Sequence, residues 1–405
     1  MANVSSSNGL EKRPKLRFPG FDEPYRKCQI GDIYAERSQR GAGDMELLSV
    51  TMNDGVMPRS EIEGKDNSSE DKSNYKVVCK GDMVYNSMRM WQGANGVSNY
   101  DGIVSPAYTV LMPTEEIDNQ YFAALFKTSN LINEFRKNSQ GLTSDTWNLK
   151  YPQIRPIRLY IPSLQEQNKI SSFIGTLEER IGKQRQLVDA LKKYKRGLLR
   201  TVFSEKCNHS LLHDAVNHKI DEVCDVLSGK RIPKGETFSP NPTAYRYITV
   251  SDMGEKYVRL DTVQYITSHT EKQISRYKVR NGDIIISVAG TLGKLNIITP
   301  DLDGVNLTEN CDRFTNFRGI IPEYLYQVLS SDLIQSQIEA SKTKNGQPKL
   351  ALERIRNFVI PVPRQVRQAQ FVGVMNSIDK YIASQQAILD RCCKVRVGLL
   401  QQLFI

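Results

Sequence analysis

The chain has 405 residues, a formal net charge of +10 and 39% hydrophobic residues, which is enough for two or three domains with ordinary cores. It contains no apolar run of the roughly 18 residues that a transmembrane helix needs, and its first residues lack the apolar core of a secretory signal. Seven cysteines without regular spacing predict free thiols in a reducing cytoplasm rather than a disulfide framework.

The first globular part is predicted over residues 16–162, after a disordered lead-in over 1–15. Short apolar runs such as YKVVCKGDMVYNS predict strands, and NQYFAALFKTSNLINEFRKN has the periodicity of one amphipathic helix. The polar stretch SVTMNDGVMPRSEIEGKDNSSEDKSN is interpreted as a loop. This mixture of strands and helices predicts the α+β fold class.

A long helix is predicted over residues 163–206. A second globular part follows over 207–362, and a second long helix over 363–405. In both helices apolar residues recur at alternating spacings of four and three, which is the heptad pattern of a coiled coil. The residues predicted to face a partner helix, here called seam positions, are Ile174, Leu177, Ile181, Gln184, Val188, Leu191, Met375, Ile378, Ile382, Gln385 and Leu389.

The chain repeats itself with an offset of 201 residues. Pro162, which opens the stretch before the first long helix, corresponds to Pro363 before the second. The same offset relates Gly81 to Gly282, far upstream in the globular parts. One offset that holds over this distance indicates two tandem copies of one unit, each a globular part followed by a helix.

The two long helices are predicted to be each other's partners in a coiled coil, and if they pack antiparallel Gln184 and Gln385 approach each other. The two helices carry +9 of the net charge of +10, so the globular parts are nearly neutral. Gln184 and Gln385 fall near the midpoints of the helices, where a polar pair costs stability but penalises shifted registers. Replacing both by leucine is expected to raise stability and to permit slippage; an equally stable and equally specific assembly would contradict this role.

The familiar catalytic motifs are incomplete in this sequence. SVAGTLGKLN resembles a phosphate-binding loop, but Val288 stands where the first glycine is required, and Leu295 follows Lys294. The stretch NPT differs from the Asn-Pro-Pro-aromatic motif with which amino-methyltransferases hold a target amine, and no glycine-rich cofactor fingerprint follows a strand. The sequence therefore predicts no catalytic residue and a chain that is not itself an enzyme.

A cluster of metal-ligand residue types follows the first long helix. It contains Cys207, His209, His213, His218 and Cys224, and such side chains can bind zinc. Their spacing matches no standard zinc finger, and solvated histidines in a linker explain them more simply. No metal site is therefore predicted.

Equivalent loops of the two copies carry different polar, basic and aromatic side chains, which are the types that contact base edges and phosphates. Two similar frames with different loops predict two recognition surfaces for different targets. In the first copy the candidate DNA-binding residues are Arg89, Trp91, Gln92, Asn95, Thr143 and Ser144. In the second copy they are Lys230, Arg231, Lys234, Thr291, Lys294, Arg313, Lys342, Lys344, Asn345, Gln347 and Lys349.

Over nearly its whole length the chain resembles the DNA-specificity subunit of type I restriction–modification systems. The resemblance rests on RPKLRFPGF, GDMVYNSMRMWQGANG, DGIVSPAY, GLTSDTWNLKYPQIRPIRLYIPSLQEQNKI, LSGKRIPKG and GDIIISVAGTLGK. The most specific of these is IPSLQEQNKI before a long helix. Its second copy, IPVPRQVRQAQF, lacks the Leu and Glu of the first, so its identity as a repeat rests mainly on the offset.

The resemblance implies two tandem target-recognition domains separated by the two helices, which would pack as an antiparallel coiled coil. Each domain would read one half of a bipartite, asymmetric site in double-stranded DNA. The helices would set the spacing and bind two modification (methyltransferase) subunits, to which restriction subunits attach. No cofactor would belong to this chain, because S-adenosylmethionine, ATP and Mg would be bound by the partner subunits.

Two alternatives stay open at this point. A stand-alone DNA methyltransferase with its own recognition domains would need the cofactor and amine-holding motifs that the sequence lacks, and binding of S-adenosylmethionine by the purified chain would support it. A coiled-coil scaffold without a role in DNA binding would have the same helices. Only the different loops of the two copies can distinguish such a scaffold from a DNA-binding protein.

Overall fold

The structure is a computed structural model that describes residues 13–41, 44–52, 55–64, 66, 68–143, 146–204, 212–340 and 349–404. It divides into two compact units. Unit 1 comprises Met1–Arg185 and Ala387–Ile405, and unit 2 comprises Gln186–Gln386. Each unit thus combines one globular part of the sequence repeat with one half of each long helix. Most of the predicted lead-in, residues 1–12, lies outside the described residues.

Unit 1 contains ten short strands, as far as the structure describes it, and its largest sheet has the order β2-β9-β6-β7 with antiparallel neighbours. The smaller pairs are β1-β10, β3-β4 and β5-β8. The strands are β1 Arg26–Gln29, β2 Tyr34–Glu36, β3 Leu48–Thr51, β4 Gly55–Pro58, β5 Lys76–Val78, β6 Met83–Asn86, β7 Asn95–Val97, β8 Gly102–Val104, β9 Tyr108–Pro113 and β10 Arg158–Ile161. The helices are α1 Ile30–Ile33, α2 Asn119–Leu125, α3 Ser129–Asn138, α4 Tyr151–Ile154 and the long α5 Leu164–Val202, which continues into unit 2.

Unit 2 repeats this plan, with a main sheet of order β12-β18-β15-β16 and smaller sheets β14-β13-β17 and β11-β19. Its strands are β11 Val216–Lys219, β12 Asp225–Ser228, β13 Tyr245–Ile248, β14 Gln264–Ile266, β15 Ile284–Ser287, β16 Leu295–Ile297, β17 Asn306–Leu307, β18 Cys311–Thr315 and β19 Val359–Val362. Its helices are α6 Ile220–Val223, α7 Ser268–Ile274, α8 Pro322–Ser330, α9 Asp332–Glu339, α10 Leu352–Arg356 and the long α11 Gln365–Leu403, which continues into unit 1. The α+β fold class is confirmed.

The stretch 49–74, interpreted as a loop, is structured in part, and that prediction was wrong. Strands β3 and β4 pair antiparallel, with Leu48 opposite Pro58 and Val50 opposite Val56. Leu48, Val50 and Val56 are buried. Their alternation with polar neighbours is the pattern of a half-buried hairpin, and it was obscured by the polar composition of the residues that follow.

The single amphipathic helix predicted over NQYFAALFKTSNLINEFRKN is two helices in the structure. In unit 1, α2 ends before Thr128, whose hydroxyl donates to the Leu125 carbonyl and accepts from the Leu131 amide as the N-cap of α3. In unit 2, Ser331 lies between α8 and α9, and its hydroxyl donates to the Val328 carbonyl. Hydroxyl side chains compete with the helical backbone for hydrogen bonds. The stretch with helical periodicity is therefore divided into two helices at the hydroxyl residue.

Within each unit the two long-helix segments run antiparallel. In unit 1, Ile170 and Ile174 of α5 share a core with Leu403 at the end of α11, while Glu178 pairs with Arg396 at 3.1 Å. In unit 2, Phe203, just beyond α5, contacts Phe371 near the start of α11, with ring centroids 5.6 Å apart. Lys195 pairs there with Asp379 at 2.5 Å.

The predicted seam positions are buried or half-buried throughout both helices. Gln184 lies in unit 1 and Gln385 in unit 2, and both are half-buried, so their role in register stays a prediction. No helix among the described residues is long and apolar enough to cross a lipid bilayer.

A repeated glutamine ties each long helix to its globular part. In unit 1, the side chain of Gln167 accepts from the Asp118 amide at 3.1 Å and donates to the Pro162 carbonyl at 3.0 Å. In unit 2, Gln368 accepts from the Ile321 amide at 2.7 Å and donates to the Pro363 carbonyl at 2.8 Å. Both glutamines are buried, so their amides satisfy buried backbone groups and orient the globular part on the helix.

Candidate nucleic-acid interface

Four segments that are remote in sequence meet on one surface of unit 2. Residues 229–231 run beside β18, where the Gly229 amide donates to the Cys311 carbonyl at 3.1 Å. The loop after β15 joins them, since the Val288 amide donates to the Asn310 carbonyl at 2.8 Å. Ala289 in turn bridges Lys349. The loops at 229–231, 287–291 and 308–311, with Lys349, are called the unit 2 face.

Unit 1 carries the equivalent surface. The Leu149 amide donates to the Ser87 carbonyl at 2.8 Å, and the Leu350 amide donates to the Val288 carbonyl at 2.9 Å in unit 2. These two bonds are related by the offset of 201 at both ends. The loops at 86–92, 105–108, 139–143 and 146–148 are therefore called the unit 1 face. Some of the described sequence candidates of each copy lie on these two equivalent surfaces.

Each face contains a cleft. The unit 1 cleft has a volume of about 400 Å³ and is lined by Arg59, Asn86, Arg89 and Tyr108, among others. The unit 2 cleft has a volume of about 410 Å³, and its lining includes Arg231, Phe238, Tyr247, Glu309 and Asn310. Guanidinium, amide and carboxylate groups beside aromatic rings can bind bases through hydrogen bonds and stacking.

Arg89 is the best-placed candidate in unit 1. It is exposed beside the cleft, and its side chain forms no hydrogen bond or ion pair to another described residue. Arg59, by contrast, is held by the Ile62 and Gly64 carbonyls at 2.6 and 3.0 Å. The guanidinium of Arg89 is therefore available for a base or a phosphate.

The remaining unit 1 candidates have different surroundings. Trp91 packs edge-to-face on Trp147 at 5.3 Å, and the Arg136 guanidinium lies 6.0 Å from the Trp91 ring. Gln92 is half-buried and Thr143 is exposed, while Ser144 lies outside the described residues. Asn95 is fully buried and donates to the Gly93 carbonyl at 3.2 Å. Asn95 therefore lies in the interior of unit 1, because its side chain is 0% exposed.

In unit 2, three basic candidates are exposed and lie on the face or close to it. Lys230 is placed above the Tyr277 ring at 5.9 Å, Arg231 pairs with Glu309 at 2.5 Å, and Lys349 follows the segment 341–348. Lys234 and Thr291 are also exposed. Lys342, Lys344, Asn345 and Gln347 lie outside the described residues.

Two unit 2 candidates are committed to the protein interior. Lys294 donates to the Met253 carbonyl. Arg313 is half-buried on β18, where burial lowers the pKa of its guanidinium and Asp283 opposes that shift. Arg313 has buried Nε and Nη1 atoms without partners among the described residues. Lys294 is thus bound within the protein, and Arg313 is held half-buried on β18.

Asn310 is a residue that the sequence interpretation missed. It lines the unit 2 cleft, and its amide side chain forms no hydrogen bond to another described residue. Only the pairing of the loop after β15 with 308–311 brings it there. The offset of 201 gives no signal for it, because the Ser87 amide donates to the Ala107 carbonyl as the Val288 amide does to Asn310, and 107 and 310 differ by 203.

The described members of the Cys/His cluster are occupied by other contacts. His213 contacts Arg367 at 2.8 Å and His218 contacts Glu222 at 2.8 Å. Cys224 is buried, and burial raises the pKa of its thiol to about 12, which disfavours the thiolate that binds metals. Cys207 and His209 lie outside the described residues, and no group of three or more ligand side chains within the described chain is arranged to hold a metal.

We expect Arg89→Ala to relax base selection at one position of a DNA target. An arginine that reads a guanine contributes about 1–3 kcal/mol of discrimination. The measurement compares binding of the assembled complex to targets substituted one base at a time. Lys80→Ala is the control, because Lys80 is exposed at the opposite end of the same strand β6. An unchanged base preference in Arg89→Ala would exclude Arg89 as a base-reading residue.

The fold and its two equivalent faces define a class: a tandem-repeat α+β protein that presents two different recognition surfaces beside a pair of long helices. The family model described as "Type I restriction modification DNA specificity domain" matches residues 28–193 and 213–391. The chain belongs to this family, and it contains two copies of the domain.

Curated relatives match over shorter regions. The EcoBI type I restriction enzyme specificity subunit of Escherichia coli is 27% identical over 138 residues, covering 34% of this chain and 29% of that protein. The HindI specificity subunit of Haemophilus influenzae is 27% identical over 159 residues, covering 38% of this chain and 33% of that protein. The chain thus spans about a third of the length of the curated relatives it matches.

Solved structures share the fold over almost the whole chain. A chain from a type I restriction–modification complex superposes with a TM-score of 0.61 at 16% identity, covering 96% of this chain and 99% of the other. The specificity subunit of a type I system from M. genitalium has a TM-score of 0.57 at 14% identity, covering 97% and 99%. At these identities the likeness concerns the fold.

Proposed function

We propose that this protein is the non-catalytic, sequence-specific DNA-binding subunit of a type I restriction–modification complex. The observation that carries the proposal is the pair of equivalent faces with different side chains. Each recognition domain reads one half of an asymmetric, bipartite DNA site. Each wrong base pair costs only about 1–3 kcal/mol of binding free energy. Two half-sites together therefore discriminate between DNA sequences more strongly than one face can.

Binding by the globular parts alone is expected to be weak. These parts are nearly neutral, because the long helices carry most of the net charge, and non-specific affinity for DNA depends on neutralising phosphates with basic residues. Partner subunits therefore hold the duplex against the faces. S-adenosylmethionine, ATP and Mg belong to those partners, and the complex acts in the cytoplasm on double-stranded DNA.

The long helices supply a repeated surface for the modification subunits. In unit 1, Phe173, Ile388 and Val395 are between 40% and 48% exposed. Their repeat equivalents in unit 2, Val374, Leu187 and Tyr194, are exposed as well. Each of these residues directly precedes in sequence a residue that lies in the contact between the two long helices. The three residues of each unit therefore lie along one side of that contact. The two sets are called the docking stripes.

Two equivalent docking stripes favour two identical partners. An apolar stripe on a helix is the usual surface for a second helix, and exposed apolar groups at this spacing are costly without a partner. Each unit thus binds one modification subunit through the same contacts. Restriction subunits then join through the modification subunits.

The proposal is tested by exchanging residues 16–162 for the recognition domain of another specificity subunit. The chimera, expressed with its modification subunit, is expected to change one half of the methylated site and to leave the other half unchanged. A change in both halves would contradict the modular arrangement of the two domains.

A further inference from the structure

We propose that Lys256 is a positioning residue that fixes the recognition part of unit 2 on the helices and thereby selects the spacing between the two half-sites. Lys256 lies in the loop 254–257, away from the unit 2 face. This inference rests on the proposed function and concerns spacing rather than base identity.

The loop is firmly attached to the sheet of unit 2. The Ile297 amide on β16 donates to the Lys256 carbonyl at 2.9 Å. The Gly254 amide donates to the Asn296 side chain at 2.9 Å and to the Tyr257 carbonyl at 3.1 Å. Any force on the Lys256 side chain is therefore transmitted directly to the strands that carry the recognition loops.

The Lys256 ammonium reaches α11. Its Nζ donates to Asp379 Oδ2 at 2.9 Å and to Asn376 Oδ1 at 3.2 Å. The same ammonium lies 5.8 Å from the centroid of the Tyr326 ring. The side chains of Lys256 and Asp379 are only 18% and 22% exposed, so this ion pair is screened far less than one on the open surface.

Asp379 also binds the other long helix. Its Oδ1 accepts from Lys195 Nζ of α5 at 2.5 Å. One carboxylate thus joins α5, α11 and the recognition part of unit 2. Lys192 of α5 adds a second, more exposed contact to Glu255 at 3.0 Å, and the Glu255 side chain is 84% exposed.

No such anchor is present among the residues of unit 1 that the structure describes. The equivalent carboxylate in unit 1, Glu178, pairs with Arg396 of α11. The residue at the position of Lys256 is Gly55, which packs against the equivalent strand, since a Cβ at Gly96 would lie 2.8 Å from the Gly55 Cα. A glycine has no side chain to reach the helices. Within the described part of the chain, the recognition part is therefore held on the helices by an ion pair of this kind in unit 2 only.

The experiment uses the full chain, co-expressed and purified with its modification subunit. Methylation is measured on DNA duplexes that keep both half-sites and vary the spacer by one base pair in either direction. We expect Lys256→Met to raise methylation at the altered spacers, relative to the native spacer, by about fivefold, because a lost partly buried ion pair is worth roughly a factor of this size.

Three further variants are compared with Lys256→Met. Lys256→Arg keeps the charge and is expected to keep the native spacer preference. Lys272→Met removes an exposed lysine of the same unit and is expected to leave the preference unchanged. Glu255→Ala removes the second, exposed contact of the same loop and is expected to change the preference less than Lys256→Met, because an exposed ion pair contributes little. Base preference in both half-sites stays native in every variant.

The outcomes separate the two proposals. If the unmodified complex methylates no bipartite site, the proposed function fails. If it methylates one spacer selectively and Lys256→Met shows the same selectivity at normal assembly, the positioning role of Lys256 is overturned. Should Lys256→Met assemble poorly, Asn376→Ala removes one partner of the same ammonium and is expected to relax the spacer preference in the same direction. An unchanged preference in Asn376→Ala would overturn the role equally.

Discussion

Glu166→Ala is expected to destabilise unit 1 by about 3–5 kcal/mol, the usual cost of removing one partner from a buried ion pair. The Glu166 side chain is 1% exposed and accepts two hydrogen bonds from Arg17, at 2.9 and 2.8 Å. Tyr25 donates to the same carboxylate at 3.4 Å. The variant leaves the guanidinium without its counter-ion in a position where Nη1 is already buried and has no partner among the described residues.

The same ion pair explains how the start of the chain is held. Arg17 follows Leu16, whose amide donates to the Gln402 carbonyl at the end of α11 at 2.9 Å. Phe18 packs edge-to-face on Phe173 of α5 at 5.7 Å. Residues 16–18 therefore contact both long-helix segments of unit 1, and loss of Glu166 releases this contact as well as the charge.

The measurement is urea unfolding followed by tryptophan fluorescence. Both tryptophans of the chain, Trp91 and Trp147, lie in unit 1 and contact each other, so the signal reports on that unit. Glu179→Ala is the control, because Glu179 forms an exposed pair with Lys183 on the same helix. The control is expected to keep the native unfolding midpoint. Equal urea unfolding midpoints for Glu166→Ala and the control would show that the buried ion pair does not stabilise unit 1.

Ile388→Asp is expected to remove one modification subunit from the complex, and Leu187→Asp the other. These residues are 42% and 39% exposed and are equivalent in the repeat. A carboxylate at the centre of an apolar helix contact leaves a buried, unpaired charge, which costs several kcal/mol and lowers affinity by at least about a hundredfold. The double variant is expected to bind no modification subunit.

Native mass spectrometry measures the stoichiometry directly. The expected ratio of modification to specificity subunits is two for the native chain and one for each single variant. Ala387→Asp and Gln186→Asp are matched controls, because they introduce the same charge at exposed neighbouring positions that are also equivalent in the repeat. If both single variants retain two modification subunits, the docking stripes are not the binding surface.

The sequence predicted what depends on periodicity and repetition. The heptad pattern located both long helices, and the offset of 201 identified the duplication. It also makes Gln167 and Gln368 equivalent positions of the repeat. The side chains of these two glutamines make equivalent hydrogen bonds in the two units. These features are local or repeated, so they are visible without knowledge of the tertiary contacts.

Features that depend on tertiary pairing escaped prediction. Asn95 and Arg313 have the residue types of base-reading side chains, but the fold buries Asn95 and half-buries Arg313. Asn310 reaches a cleft only because of a loop contact. The heptad pattern also places Lys195 and Arg396 at helix-contact positions. Their charges are matched by Asp379 and Glu178, which face them from the other helix of the same unit.

The central claim is that two different faces of one chain read two halves of one DNA site. The most direct measurement is to express the chain with its modification subunit in a host that lacks other adenine methylation and to map modified bases by long-read sequencing. The account predicts one asymmetric motif with two defined half-sites, a fixed spacer, and one methylated base in each half. Methylation at a single continuous motif, or none in a complex that assembles normally, would contradict it.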